Sequence, residues 1–197
     1  ALGLSDYSAW PYPPTFLLAV LPLGQLPFGA ALILYSVLGL LVYGAVLMRI
    51  CRGIDRGYLS LLLAFPGAAI AIGLGQNSLF TLAAAGAALA LLEVEAALAG
   101  VCIAVLAIKP QFGILFPLAL ICGRHWKVFG VSALCTVAFV GVSVVVLGQD
   151  AWRAFAAFLP QFGTLAVEQG GNMMWPGMPT AFALGRSIGL SVNGAYL

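Results

Sequence analysis

Long apolar runs punctuated by brief polar turns occupy almost the whole chain. Phe28 to Met48, Tyr58 to Gly75 and Val128 to Leu147 each predict one membrane crossing, for which about 20 apolar residues suffice. Leu79–Leu92, Ala96–Ile108 and Phe112–Cys122 are shorter. They are separated by Glu93-Val94-Glu95 and by Lys109-Pro110-Gln111. Such short runs, interrupted by Gly or Pro, mark helices broken at a binding site. The alternative is that they tilt little, thin the bilayer locally or extend into the polar loops.

The ends of the chain follow other patterns. Trp10-Pro11-Tyr12-Pro13-Pro14 is no helix interior, because successive prolines remove donors and favour extended backbone. Thr15 to Leu21 predicts a re-entrant or interfacial half-helix, cut off by Pro22-Leu23-Gly24-Gln25-Leu26-Pro27. Ala151 to Gln161 collects Trp152, Phe155, Phe158 and Leu159 on one face and predicts an amphipathic helix lying in the interface. Gly163 to Pro179 reads as a Gly/Met/Pro loop, after which Thr180 opens another apolar segment.

Composition agrees with the pattern and narrows it. Hydrophobic residues make up 63% and charged residues 7%, against roughly 25% charged in soluble domains. The reading is an all-α, polytopic transmembrane bundle in one membrane domain spanning residues 1–197, with no separable soluble part. A net charge of +2 without any basic run gives no support for nucleic-acid binding. Cys51, Cys102, Cys122 and Cys135 lie in or beside apolar segments without metal or redox spacing, and read as small buried hydrophobes. Neither a metal site nor a cofactor is expected. With Ala1 at the start and no signal-peptide pattern, the chain is expected to be a piece of a longer membrane protein.

Basic residues favour the cytoplasmic side in short loops. Arg49, Arg52 and Arg56 form one such cluster, Arg124 and Lys127 the other, with an even number of crossings between them. By that count Gln76-Asn77, Lys109-Pro110-Gln111 and Gln149-Asp150 share the outer face, and Glu93 and Glu95 lie inside.

Lys109 stands out chemically, because an ammonium between two apolar runs is costly unless it is paired, snorkels or lines a wet cavity. An anionic ligand is the natural counterpart, and Pro110 breaks the helix where the side chain reaches out. Around it on the expected outer face fall Tyr12-Pro13-Pro14, Gly75-Gln76-Asn77 and the region from Gln149 to Asn172. Each has a plainer reading: Tyr12 as an interfacial aromatic, Asn77 and Gln149-Asp150 as helix caps.

In order and spacing these elements resemble glycosyltransferase family 87. The matching pieces are Y-P-P at 12–14 with P-L-x-x-L-P at 22–27, G-Q-N at 75–77, A-G at 99–100 leading to K-P at 109–110, and R-H-W-K at 124–127. The resemblance, to a family whose members include mannosyltransferases, implies a C-type glycosyltransferase fold and transfer of a hexose, mannose foremost. The donor would be a polyprenyl-phosphate sugar and the acceptor a lipid-linked or cell-envelope glycan, met at the outer face of the cell membrane. Lys109 would contact the donor phosphate, Gln76, Asn77 and Gln111 would bond sugar hydroxyls or phosphate, and Tyr12 would stack on the sugar or shape the lipid groove.

The resemblance also implies a catalytic Asp in the first outer loop, well upstream of Tyr-Pro-Pro. Asp6 is on the right side of that motif but only six residues from Tyr12, and Asp150 is the other outer acid. Without that upstream loop the piece is expected to lack activity by itself. His125, between Arg124 and Trp126-Lys127, reads as part of a cytoplasmic basic loop. The rival readings are a small-molecule or ion transporter built on the same broken helices, and a non-catalytic membrane subunit.

Overall fold

The computed structural model describes residues 11–53, 57, 66–168 and 180–196, with the side chains of 165–167 excluded. Helices and short 3-10 or π-type turns make up its regular structure, and no strand occurs among the described residues. The chain forms two compact units, Pro13–Gly148 and a smaller one comprising Ala1–Tyr12 with Gln149–Leu197.

In the larger unit, α1 (Pro14–Val20) starts on a proline whose missing N–H costs nothing at a helix start. A 3-10 turn at Leu21–Gln25 ends it, as the Pro-Gly pattern predicts. α2 (Phe28–Ile50) and α8 (Trp126–Leu147) are long and apolar enough to cross a membrane. Between them run α3 (Pro66–Gly73), α4 (Ser78–Leu91), α5 (Ala96–Val105), α6 (Pro110–Gly113) and α7 (Phe116–Cys122). The predicted crossing from Tyr58 to Gly75 lies partly outside the described residues, and only its α3 portion is described.

Small residues set the packing. α5 lies against α8, where a Cβ on Gly100 would meet Val131 Cβ at 2.8 Å and the Ser132 backbone nitrogen at 3.0 Å. α2 lies against α4 through Gly39, whose added Cβ would meet Phe80 at 3.2 Å and Leu79 at 3.4 Å. Ala88, Ala99, Ile103, Leu120 and Val128 form the buried centre of the α4–α5–α7–α8 side. Close backbone approach of this kind is the main source of helix attraction in lipid. Many large apolar residues stay outside it, among them Phe28, Ile33, Leu134 and Val145. In water such a surface would be an aggregation hazard; in lipid it is ordinary.

At one end of this unit the α4–α5 turn meets the α7–α8 turn, with His125 Nε2 3.6 Å from Glu93 Oε1. The α7–α8 turn is closed by His125 N–H to Leu120 O (2.8 Å) and Arg124 N–H to Ile121 O (3.1 Å), which puts Arg124 in the left-handed region at φ 58.

The smaller unit holds α9 (Gln149–Phe162), α10 (Ala181–Ser187) and α11 (Val192–Ala195). α9 is amphipathic as expected and carries Trp152, Phe155, Phe158 and Leu159. One expectation is corrected: residues 163–168 are no loop, because the helix continues as π-type turns from Gly163 to Glu168. Pro160 supplies no N–H to the helix just upstream, which loosens its ladder. Residues 169–179 lie outside the described residues. Thr180 does start a helix, its Oγ1 accepting from Ala183 N–H at 3.1 Å.

Candidate functional site

The turn that carries Lys109 is a direct product of Pro110. Leu106 O would receive the N–H four residues on in an α-helix, and that residue is a proline without one. Lys109 N–H takes the role at 2.8 Å, so Leu106–Ile108 tightens into a 3-10 turn. Lys109 itself is extended at φ −148 and ψ 71, which carries the chain out of the helix. That break deprives Ala107 O of its helical donor. Thr15 supplies a substitute, its Oγ1 donating to Ala107 O at 2.7 Å across 92 residues of sequence.

Thr15 is fully buried, and Pro13, Pro14 and Phe16 are buried with it. The start of α1 thus packs onto the turn before Lys109 and onto α8. Leu106 and Ile108 face inward beneath the lysine, 1% and 5% exposed.

The third piece comes from the α3–α4 connection. Gly75 has φ +61, Gly75 N–H reaches Ile72 O at 3.1 Å and Gln76 N–H reaches Ala71 O at 2.7 Å. This is the Schellman closure that glycine allows at low cost, and it turns the chain directly into Asn77 and α4. Asn77 occupies the N-cap position, but its side chain makes no capping bond, which corrects the plainer reading of this residue. Its Oδ1 accepts from Lys109 Nζ at 3.2 Å instead. Lysine is only a donor, so the amide oxygen must face it. The other arm, Nδ2, is buried and has no partner among the described residues.

Lys109 is half-buried, with Nζ also 5.2 Å from the centroid of the Phe112 ring. The turn lies outside the two span-length helices, and burial pushes the lysine's pKa below its ordinary value. The N-terminal end of α4 adds the positive end of a helix dipole beside this ammonium. Charge and dipole together suit an anion.

The structure therefore brings Lys109, Asn77 and the segment after Tyr12 into one place. Gln76 directly precedes Asn77 and is partly buried; Gln111 is exposed on the first turn of α6, two residues past Lys109. Tyr12 is half-buried in the other compact unit, where burial raises its pKa. Asp6 and Asn172 lie outside the described residues. Asp150 sits in the first turn of α9 and pairs with Arg153 at 2.9 Å on an exposed face. Thr15 was missed by the sequence reading, although a threonine right after Pro-Pro and ahead of an apolar run was its visible signal.

Residues 10–197 match the family profile described as Glycosyltransferase family 87. The chain belongs to that family, and its enzyme class is glycosyltransferase. Comparison with curated proteins and with solved structures gives no match.

Proposed function

We propose that this chain works in a multi-pass membrane enzyme that moves a hexose, mannose foremost, from a polyprenyl-phosphate donor. The acceptor is a lipid-linked or cell-envelope glycan at the outer face of the cell membrane. The observation that carries the reading is Lys109, half-buried at the N-terminal end of α4 and bonded to Asn77. A transferase using a lipid-phosphate leaving group needs a fixed cation at the membrane surface.

In this reaction an acceptor oxygen bonds to the anomeric carbon as the bond from that carbon to the phosphate oxygen breaks. The electron pair leaves with the phosphate, and a carboxylate base takes the acceptor's proton. Lys109 offsets the charge that grows on the departing phosphate. Gln76 and Gln111 offer hydrogen bonds to sugar hydroxyls, and Tyr12 offers a face for the sugar ring. Asp6 is the carboxylate in this chain that stands before Tyr-Pro-Pro.

Family membership supports transfer over transport. Two span-length apolar helices and the shorter apolar pairs between them support a multi-pass membrane setting. The test is transfer of label from radiolabelled polyprenyl-phosphate mannose into lipid-linked glycan, in membranes containing the full-length protein. Label transfer that vanishes in Lys109→Ala is expected. Transfer that survives in Lys109→Ala would discard the phosphate role, and no transfer from this donor would discard the donor.

A further inference from the structure

Asn77 is 1% exposed, which makes it an unusual residue to meet a substrate freely. Its Oδ1 holds the Lys109 ammonium at 3.2 Å, and its Nδ2 is a buried donor without an acceptor among the described residues. A buried N–H left unsatisfied is destabilising, so such a group calls for an acceptor, whether an ordered water or a ligand atom. The backbone leaves little room for strain relief: the Gly75 closure sets Asn77's position, and Asn77 O is occupied by Thr81 N–H at 3.1 Å.

We infer that Asn77 is a positioning residue for Lys109, holding the ammonium toward an anionic ligand with an oxygen that adds no negative charge of its own. Its Nδ2 arm then gives a hydrogen bond to an oxygen of that same ligand. This inference rests on the proposed phosphate contact of Lys109 and adds what keeps that contact in place. A carboxylate at position 77 would hold Lys109 equally well in geometry and neutralise it. An amide holds it without adding a negative charge, and the N-terminal end of α4 contributes its positive dipole end. Asparagine is the side chain that combines a neutral acceptor for Lys109 with a donor for the ligand.

The probe is farnesyl monophosphate, with uncharged farnesol as control, titrated against the purified full chain in detergent micelles. Wild type, Lys109→Ala, Asn77→Asp and Asn77→Ala are compared for affinity and for melting temperature. Phosphate-dependent binding is expected in wild type and absent in Lys109→Ala. Asn77→Asp is expected to melt no lower than wild type, because it pairs with Lys109, yet to bind at least tenfold more weakly. Affinity and stability then part company, which a merely structural asparagine would not produce. Asn77→Ala, which adds no charge, covers the case in which Asn77→Asp does not fold, with at least fivefold weaker binding expected. Wild-type affinity in a folded Asn77→Asp, or in Asn77→Ala, overturns the role of Asn77 and leaves that of Lys109 standing. Binding that is equal in wild type and Lys109→Ala, or equal for the phosphate and for farnesol, overturns the phosphate contact itself and this role with it.

Discussion

The Thr15 hydroxyl donates to the Ala107 carbonyl at 2.7 Å, tying the segment after Tyr-Pro-Pro to the turn that delivers Lys109. The bond exists because Pro110 strips the helix of a donor and the extended Lys109 strips it of the next. Thr15→Val keeps the shape and leaves Ala107 O unsatisfied in a partly buried place. That change is expected to cost about 1–3 kcal/mol. Thermal unfolding in micelles reads the loss, and an unchanged melting temperature would contradict the bracing role.

Lys109→Ala is expected to cut sugar transfer by about 100-fold or more, the scale of losing one preorganised charge stabiliser. Lys109→Arg should recover only part of it, because the guanidinium fork and the compact ammonium fill space differently. Anion binding is also expected to fade as pH rises through the lysine's pKa. Burial lowers that pKa, so the fade begins below the pH at which an ordinary lysine deprotonates. A titration of farnesyl monophosphate affinity against pH checks the direction.

Glycine substitutions should separate by position. Gly100→Ala gains up to about 1 kcal/mol of helix propensity. It also drives a methyl to 2.8 Å from Val131 Cβ and 3.0 Å from the Ser132 backbone, an overpacking that costs about 1–3 kcal/mol. The net effect is expected to be destabilising. Gly141, on α8, has nothing within 4 Å of a new Cβ, and Gly141→Ala should be neutral or stabilising. Melting temperatures of the pair test whether α5 and α8 approach as closely as described.

Arg124 holds a left-handed conformation at the C-terminal end of α7, for which a non-glycine residue pays on the order of 1 kcal/mol. Arg124→Gly is expected to raise stability by about that amount, less the added freedom of glycine in the unfolded chain. A fall in melting temperature would show that the arginine side chain matters more than its backbone.

The apolar runs by themselves located α2, α4, α5 and α8, because helix length and polar interruption are local properties. Prolines located the start of α1 at Pro14 and the breaks at Pro22 and Pro110, since a missing N–H acts on its own turn. The order of short motifs was enough to point to the family, and the profile match bears that out. Lys109 was legible as the odd charge among apolar neighbours. What it touches was not, for Asn77 lies 32 residues away and Thr15 comes from the far side of α2. Asn77 looked like a helix cap because capping is the commonest use of asparagine before a helix. Only the packing of α4 beside the Lys109 turn aimed its side chain elsewhere. That packing depends on whether backbones can approach, at Gly39 between α2 and α4 and at Gly100 between α5 and α8. Small residues allow such approaches at many places in this chain, and periodicity alone does not choose among them. Tertiary structure chose, setting Gly39 against Phe80 and Leu79, and Gly100 against Val131 and the Ser132 backbone.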